Sequence, residues 1–385
     1  MIIAIPLAWL QLTREKLRLL IALSGVGFAV VLIFMQLGFR EALFDSAVRY
    51  HTSLVYDIAL INPTTDFIVQ PDNFSRRRLF QVRGFPGVES VSSVYLGQAL
   101  WKNPAESSES RIIFVVGFDP SDEVFALPGI VDNVSRLRMP DSVLYDEASR
   151  PEFGPVAEMF RGKGVVETEV NNREVEVVGL FDLGTSFGID ASIATSDLNF
   201  LRIFPGRERG LINIGLVKLE PGADLHAVRD AIASELSNEV EVLTRAEFIA
   251  REIDYWNTNT PIGYVFSFGV IIGLMVGSII VYQILFSDVS DHLQEYATLK
   301  AMGYTNAFLF GVVLQEAVIL AALGFIPGLL VCLGLYRLAG DATQLPLTMT
   351  LERGIFVMLL TVAMCCVSGA IALRKIRSAD PAEVF

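Results

Sequence analysis

Residues 261–286 read PIGYVFSFGVIIGLMVGSIIVYQILF, a run without a single Asp, Glu, Lys or Arg. About 20 helical residues cross the ~30 Å of bilayer hydrocarbon, so this run is long enough to span a membrane. Three more stretches qualify: Leu19–Phe39, about Ala307–Tyr336 with one acid at Glu316, and Gly354–Leu373. The first exceeds the ~7–15 residues of a signal-peptide core and ends in Gly38-Phe39-Arg40-Glu41 with no small-residue cleavage site, so it reads as an uncleaved anchor. Composition agrees. Of 385 residues 52% are hydrophobic and only 19% charged, below the ~25% of ordinary globular domains.

Between the first two runs lies a block of different character. Residues 40–260 hold 21 Lys+Arg and 34 Asp+Glu, which accounts for the whole net charge of −13. The remainder carries 9 of each sign and sums to zero. An acidic block argues against nucleic acid, whose phosphates are bound by Lys and Arg. Cys332, Cys365 and Cys366 all lie in apolar runs, so the block can hold no disulfide framework. His51, His226 and His292 are scattered without Cys partners, which leaves no metal site.

Orientation follows from basic residues in the short flanks. Arg14, Lys16 and Arg18 precede the first span, and Arg374, Lys375 and Arg377 follow the fourth, whereas the loop between spans three and four has only Arg337 and Arg353. Both termini (1–18 and 374–385) are therefore expected in the cytoplasm, with 19–39, 261–286, 307–336 and 354–373 in the membrane. Residues 40–260 and 337–353 then lie outside and 287–306 inside. Gly269, Gly273 and Gly277 recur every four residues on the second span, a doubled small-residue face that lets another helix backbone approach. Gly273→Leu is expected to disturb assembly, on the reading that this face packs helices within a dimer. Gly324 and Gly328 repeat the spacing on the third span, around Pro327.

Within the block, Tyr56–Ile61, Ser75–Arg83 and Val88–Leu100 read as strand, helix, strand. Leu211–Leu219, Asp224–Leu236 and Val240–Leu243 repeat the pattern, which predicts a split α+β domain of ferredoxin-like kind over 52–102 and 210–260. The insert, 103–209, reads as mostly β, with strands at Arg111–Gly117, Val165–Val170 and Glu174–Leu180 and a hairpin signal at Asn171-Asn172. At this length two subdomains are expected. Thr244–Asn259 reads as a helix leading to the second span.

Enzymatic motifs are missing. No GxxxxGK[ST] loop, GxSxG elbow or HExxH helix occurs, and the many carboxylates of the block read as a solvated face. No catalytic, cofactor-binding or metal-binding residue is assigned. Glu316 is the exception to a bland membrane region, because an acid inside a span costs ~2.5 kcal/mol or more at the centre. A packing or mechanical role stands there beside an interfacial one, about three turns into its helix.

The loop after the second span reads SDVSDHLQEYATLKAMGY, residues 287–304. Asp288 and Asp291 at the start and Lys300 near the end suit a helix dipole, and Gly303 is a stop signal. Val289, Leu293, Tyr296 and Met302 fall roughly on one face, so a short amphipathic helix over 288–303 is expected, with a protein rather than lipid as its partner.

Here the chain resembles the FtsX-like permeases of MacB-type ABC transporters. The resemblance rests on Glu295-Tyr296 followed by Ala297-Thr298-Leu299-Lys300-Ala301-Met302-Gly303-Tyr304, on Gln315-Glu316-Ala317, and on the order of one span, a large domain and three spans. DevC-like permeases are more similar still, over Ser75-Arg76-Arg77-Arg78-Leu79, Tyr282-Gln283-Ile284-Leu285, Asp288-Val289 through Tyr304, Gly324-Phe325-Ile326-Pro327-Gly328 and Ser378-Ala379-Asp380-Pro381-Ala382, the inner loop being the most specific of these. The resemblance implies a membrane α-helical protein with four transmembrane helices and a large extracytoplasmic α+β domain of porter type carrying a mostly β insert. It further implies a homodimer in the inner membrane, a separate ABC ATPase that binds ATP, a membrane-fusion adaptor and a TolC-like channel. ATP-driven dimer closure would reshape the outer domain by mechanotransmission, exporting a lipid-like or amphiphilic cargo such as a glycolipid. Lipoprotein release of the Lol kind, or FtsX-like control of an extracytoplasmic hydrolase, are the alternatives. Asp288, Leu293, Glu295, Tyr296, Leu299 and Lys300 are the expected ATPase-coupling residues, with Leu293, Tyr296 and Leu299 as the apolar insertion.

Overall fold

The computed structural model describes residue 9 and residues 16–373, except 107, 187, 237 and 238. Arg14, Arg374, Lys375 and Arg377, on which the orientation partly rests, lie outside the described residues. The chain divides into two compact units. One comprises 1–42, 261–343 and 347–385, and the other 43–260 with 344–346.

The first unit is helical. Its helices are α1 (Lys16–Ala47, whose last residues belong to the second unit), α9 (Pro261–Asp291), α10 (Leu293–Ala301), α11 (Asn306–Thr343) and α12 (Leu351–Ala372). The numbers between belong to the second unit. Of these, α1, α9, α11 and α12 are long and apolar enough to cross a membrane. All but α12 run well past the apolar stretches, and α11 is continuous through Pro327. Val26, Ile33, Val281, Leu285, Leu320 and Cys365 meet in the core. Large apolar side chains such as Tyr264, Phe268, Met275, Leu330 and Leu359 point outward. A helix that is apolar all round is stable where its solvent is lipid.

Small residues set the helix contacts. The face of Gly269, Gly273 and Gly277 meets Gln36, Ile33 and Ala29 of α1, with Met364 of α12 also against Gly277. These glycines thus serve helix packing, and the helices they meet belong to the same chain. Gly324 and Gly328 of α11 lie against Val26, Val30 and the carbonyl of Gly27.

At one end of this bundle Arg353, expected in a loop, is instead in the first turn of α12 and 6% exposed. Its Nε donates to Glu41 (3.0 Å), and its Nη1 donates to Tyr336 Oη (3.2 Å) and the Thr348 carbonyl (2.7 Å). Tyr336 in turn donates to the Phe34 carbonyl. Thr350, whose hydroxyl caps the Arg353 N–H, starts the helix early enough to bury this residue.

The second unit is α+β. Strands β1 (Ile58–Ile61), β3 (Val88–Lys102), β10 (Ile214–Leu219) and β11 (Glu241–Thr244) stand in the order β11-β1-β10-β3, all antiparallel neighbours. Helix α3 (Arg76–Val82) joins the first two and α7 (Leu225–Glu235) the last two, which is the ferredoxin-like arrangement. Helices α2 (Arg49–Ser53) and α8 (Arg245–Thr258) flank the unit's two ends, α8 opening with a reciprocal Thr244–Glu247 capping box.

The insert does not form a separate sheet, against the expectation of two subdomains. From β3 the sheet continues through β4 (Ser110–Phe118), β8 (Ser192–Ser196), β5 (Ser142–Asp146), β7 (Arg173–Phe181) and β6 (Val166–Val170). Trp101 of β3 then pairs with Val170 of β6, so the insert closes on the long strand it grew from. Helices α4 (Pro128–Asn133), α5 (Val156–Lys163) and α6 (Asp197–Ile203) lie among these strands. Asn171 and Asn172 both have positive φ (50° and 63°), as a two-residue hairpin turn between β6 and β7 requires. Apolar residues cover both faces of the sheet: along β1, Ile58 and Leu60 enter one core while Ala59 and Ile61 enter the other. Outside the main sheet, β2 (Phe74–Ser75) pairs with β9 (Leu211–Ile212).

Candidate coupling site in the helical unit

The motif-bearing loop lies between α9 and α11. Helix α9 continues to Asp291, and the backbone leaves helical geometry at His292 (φ −95°, ψ 13°) before α10 begins. This corrects the expected single helix over 288–303. Asp288 and Asp291 occupy the last turn of α9, where the helix dipole disfavours acids. Arg18 of α1 offsets this, with Nη2 2.7 Å from Asp291 and Nη1 4.0 Å from Asp288. The break is further held by His292. Its Nδ1 lies 3.0 Å from the Asp288 carbonyl, which can only accept, so Nδ1 carries the hydrogen.

Helix α10 ends as its sequence dictates. Gly303 has φ +96°, its N–H donates to the Lys300 carbonyl (3.1 Å), and the Tyr304 N–H donates to the Leu299 carbonyl (3.1 Å). That pair of bonds is a Schellman stop. Thr305 then caps the start of α11, its hydroxyl accepting from the Phe308 N–H at 3.4 Å.

The break changes which residues face outward. Tyr296 is 1% exposed and packs with Val289, Leu309, Val313 and Leu373, with Leu299 beside them. Leu293 and Lys300 are half-buried. Tyr296 therefore holds α10 to its own bundle and is not an outward anchor, and Leu293 and Leu299 are only partly available. Among the expected coupling residues Glu295 is exposed, and its helical neighbours Gln294, Thr298, Ala301 and Met302 are exposed with it. Met302 is 64% exposed, an unbranched apolar side chain standing free at the end of the face. Met302 lies six residues beyond Tyr296, about a third of a turn round the helix from it, so the two do not share a face.

Glu316 of α11 is fully buried, and neither carboxyl oxygen has a hydrogen-bond partner among the described residues. Ten residues into its helix, it stands about 15 Å from the Asn306 end. No donor among the described residues satisfies it.

Helix α10 is clamped by its buried face to α9 and α11 and exposes one narrow face of mixed polar and apolar character.

Comparison with known families agrees with this architecture. The model of the MacB-like periplasmic core domain matches residues 19–235, and that of the FtsX-like permease C-terminal region matches residues 267–381. Among solved structures, the periplasmic region of MacB from Actinobacillus actinomycetemcomitans is 11% identical, covering 53% of this chain and 94% of that one at a TM-score of 0.35. The extracellular domain of the noncanonic ABC-type transporter YknZ from Gram-positive bacteria is 13% identical, covering 49% and 98% at a TM-score of 0.32. No curated protein matches. The core-domain match alone spans more than half of the chain, and the permease match takes in α10 and its Schellman stop. The chain is a membrane protein that belongs to the FtsX-like, MacB-type family of ABC-transporter permeases.

Proposed function

We propose that this chain is the permease subunit of a tripartite ABC exporter that works by mechanotransmission, with a lipid-like or amphiphilic cargo such as a DevC-type glycolipid. A separate ATPase docks on the exposed face of α10, and the α+β unit meets a membrane-fusion adaptor leading to a TolC-like channel. The protein acts as a homodimer in the inner membrane with both termini in the cytoplasm. The observation that carries this reading is the construction of α10. Its outward face of Gln294, Glu295, Thr298 and Met302 is rigidly backed by Tyr296, which is buried among residues of α9 and α11. A push on the exposed face is thereby passed to two long helices. ATP chemistry belongs to the partner, as the missing phosphate loop supports.

The test is ATPase binding and ATP-driven export in the reconstituted complex. Met302→Glu and Glu295→Lys are expected to weaken ATPase binding at least tenfold and leave the fold unchanged, since both side chains are exposed. Tyr296→Ala is expected to lower thermal stability, the loss of a buried aromatic costing ~3 kcal/mol. Normal binding and export in a Met302→Glu, Glu295→Lys double variant would remove α10 from the mechanism.

A further inference from the structure

The α+β unit carries a basic groove on an otherwise acidic chain segment. It lies between α3 and the loop that enters β9, has a volume of about 500 Å³, and is lined by Arg76, Arg77, Phe80, Glu208 and Arg209 among others. Three guanidiniums thus face one carboxylate, although residues 40–260 as a whole carry the net charge of −13. The two walls are fixed to each other. Phe74 and Ser75 pair with Ile212 and Leu211, and the Arg76 N–H donates to the Gly210 carbonyl at 2.8 Å.

These arginines are not spent on internal ion pairs. The next residue of α3, Arg78, is engaged by Glu239 outside the groove, and Arg207 donates to Asn213 at 2.7 Å. Arg76, Arg77 and Arg209 form no ion pair among the described residues, and the buried Nε of Arg76 has no hydrogen-bond partner. Asp119, Asp122 and Asp197 feel the charge of Arg76 without pairing with it. The Arg76 guanidinium stands 5.1 Å from the ring centroid of Phe80, which is itself 52% exposed. An exposed aromatic ring beside unpaired guanidiniums offers an apolar contact and an oxyanion contact within one small volume. Guanidinium forks suit phosphate, sulfate and carboxylate oxygens, and the volume is that of a small-molecule site, smaller than a protein interface needs.

We infer that this groove binds the anionic headgroup of an amphiphile, Arg76, Arg77 and Arg209 taking the oxyanion and Phe80 the adjoining apolar portion. The assignment stands on the groove itself and does not depend on the partners proposed above.

The experiment is equilibrium titration of the full chain in phosphatidylcholine nanodiscs with phenyl phosphate, inorganic phosphate and phenyl glucoside. Phenyl phosphate is expected to bind at least tenfold more tightly than either of the others. Arg76→Ala, Arg77→Ala and Arg209→Ala together should lower its affinity at least tenfold, and Phe80→Ala should bring it to that of inorganic phosphate. Arg78→Ala should leave it unchanged. Should the triple variant fail to fold, Arg77→Glu, at an exposed position, is expected to weaken binding at least threefold. Nanodiscs containing phosphatidylglycerol separate the sources: competition identifies a bilayer lipid as the occupant, and unaltered affinity a freely presented amphiphile. Equal binding of phenyl glucoside, or full affinity in the arginine variants, overturns the inference. So does binding of a poly-glutamate peptide in place of phenyl phosphate, which would make the groove a protein-docking surface.

Discussion

His51 and Glu252 form a tightly enclosed titratable pair in the α+β unit, 0% and 3% exposed with Nε2 3.6 Å from Oε2. Glu252 accepts from Trp256 Nε1 (2.9 Å) and the Ile68 N–H (3.0 Å), while His51 lies against the Phe248 ring. Burial pushes Glu252 up to about 7, against the pull of its two donors and Arg251, and pushes His51 down to about 3. The signs oppose each other. A carboxyl raised from 4.5 binds more protons in the folded state, so its contribution to stability falls as pH rises from 4.5 to 7. An imidazole lowered from 6.5 binds fewer, so its contribution rises with pH from 3 to 6.5. Over their shared window the pair should leave stability nearly flat. Glu252→Gln is expected to give stability that rises with pH, and His51→Leu stability that falls, each slope approaching ~1.4 kcal/mol per pH unit. Hydrogen exchange of the α8 amides in the full chain, corrected for intrinsic rates, reads both. Slopes of the same sign in the two variants would refute the opposition. Arg353 is the corresponding residue of the helical unit. Arg353→Ala removes the donor to Tyr336 and Thr348, and the expected loss is ~2 kcal/mol, read as a lower melting temperature in detergent.

Helix contacts show what can be read from a sequence and what cannot. The four long helices were legible because a bilayer demands uninterrupted apolar runs, and the split β-α-β pattern because alternation and turn signals are local. The hairpin at Asn171-Asn172 was legible for the same reason. Strands β5 (SVLYD) and β8 (SIATS) were not. Both are buried along their whole length, and their pairing with β7 and β4 is parallel and distant in sequence, so no alternation marks them. Tyr296 failed differently. Helical spacing identifies a face, but one backbone break at His292 decides whether that face meets a partner or its own bundle. The glycine spacing on α11 was readable, yet only the fold names α1 as its neighbour. A Cβ on Gly328 would come within 2.9 Å of the Gly27 carbonyl oxygen, which is backbone and cannot swing aside. Gly328→Leu is therefore expected to push α1 and α11 apart and cost ~1–3 kcal/mol. Gly311, with open space around it, makes the control: Gly311→Leu should leave the melting temperature unchanged or raise it.

At the scale of the whole molecule, the proposed homodimer needs a surface the single chain does not consume. The small-residue face of α9 is consumed, because α1 and α12 fill it. Yet α9 is the least covered of the four long helices, only 17% of its most apolar stretch being buried against 33–39% in the others. Phe268, Ile272, Met275 and Ile279 lie on its uncovered side at 40–59% exposure. Helices in lipid associate through packing rather than through hydrophobic burial, so this side is served equally by acyl chains or by its own copy. Two-fold symmetry separates the cases, since a residue near the axis must approach its own equivalent. Met275→Cys, in a chain lacking Cys332, Cys365 and Cys366, is expected to form an intermolecular disulfide under mild oxidation in membranes. Gly273→Cys, on the covered side, is not. If α9 faces lipid alone, both variants stay monomeric on a non-reducing gel. That outcome moves the dimer contact to another helix.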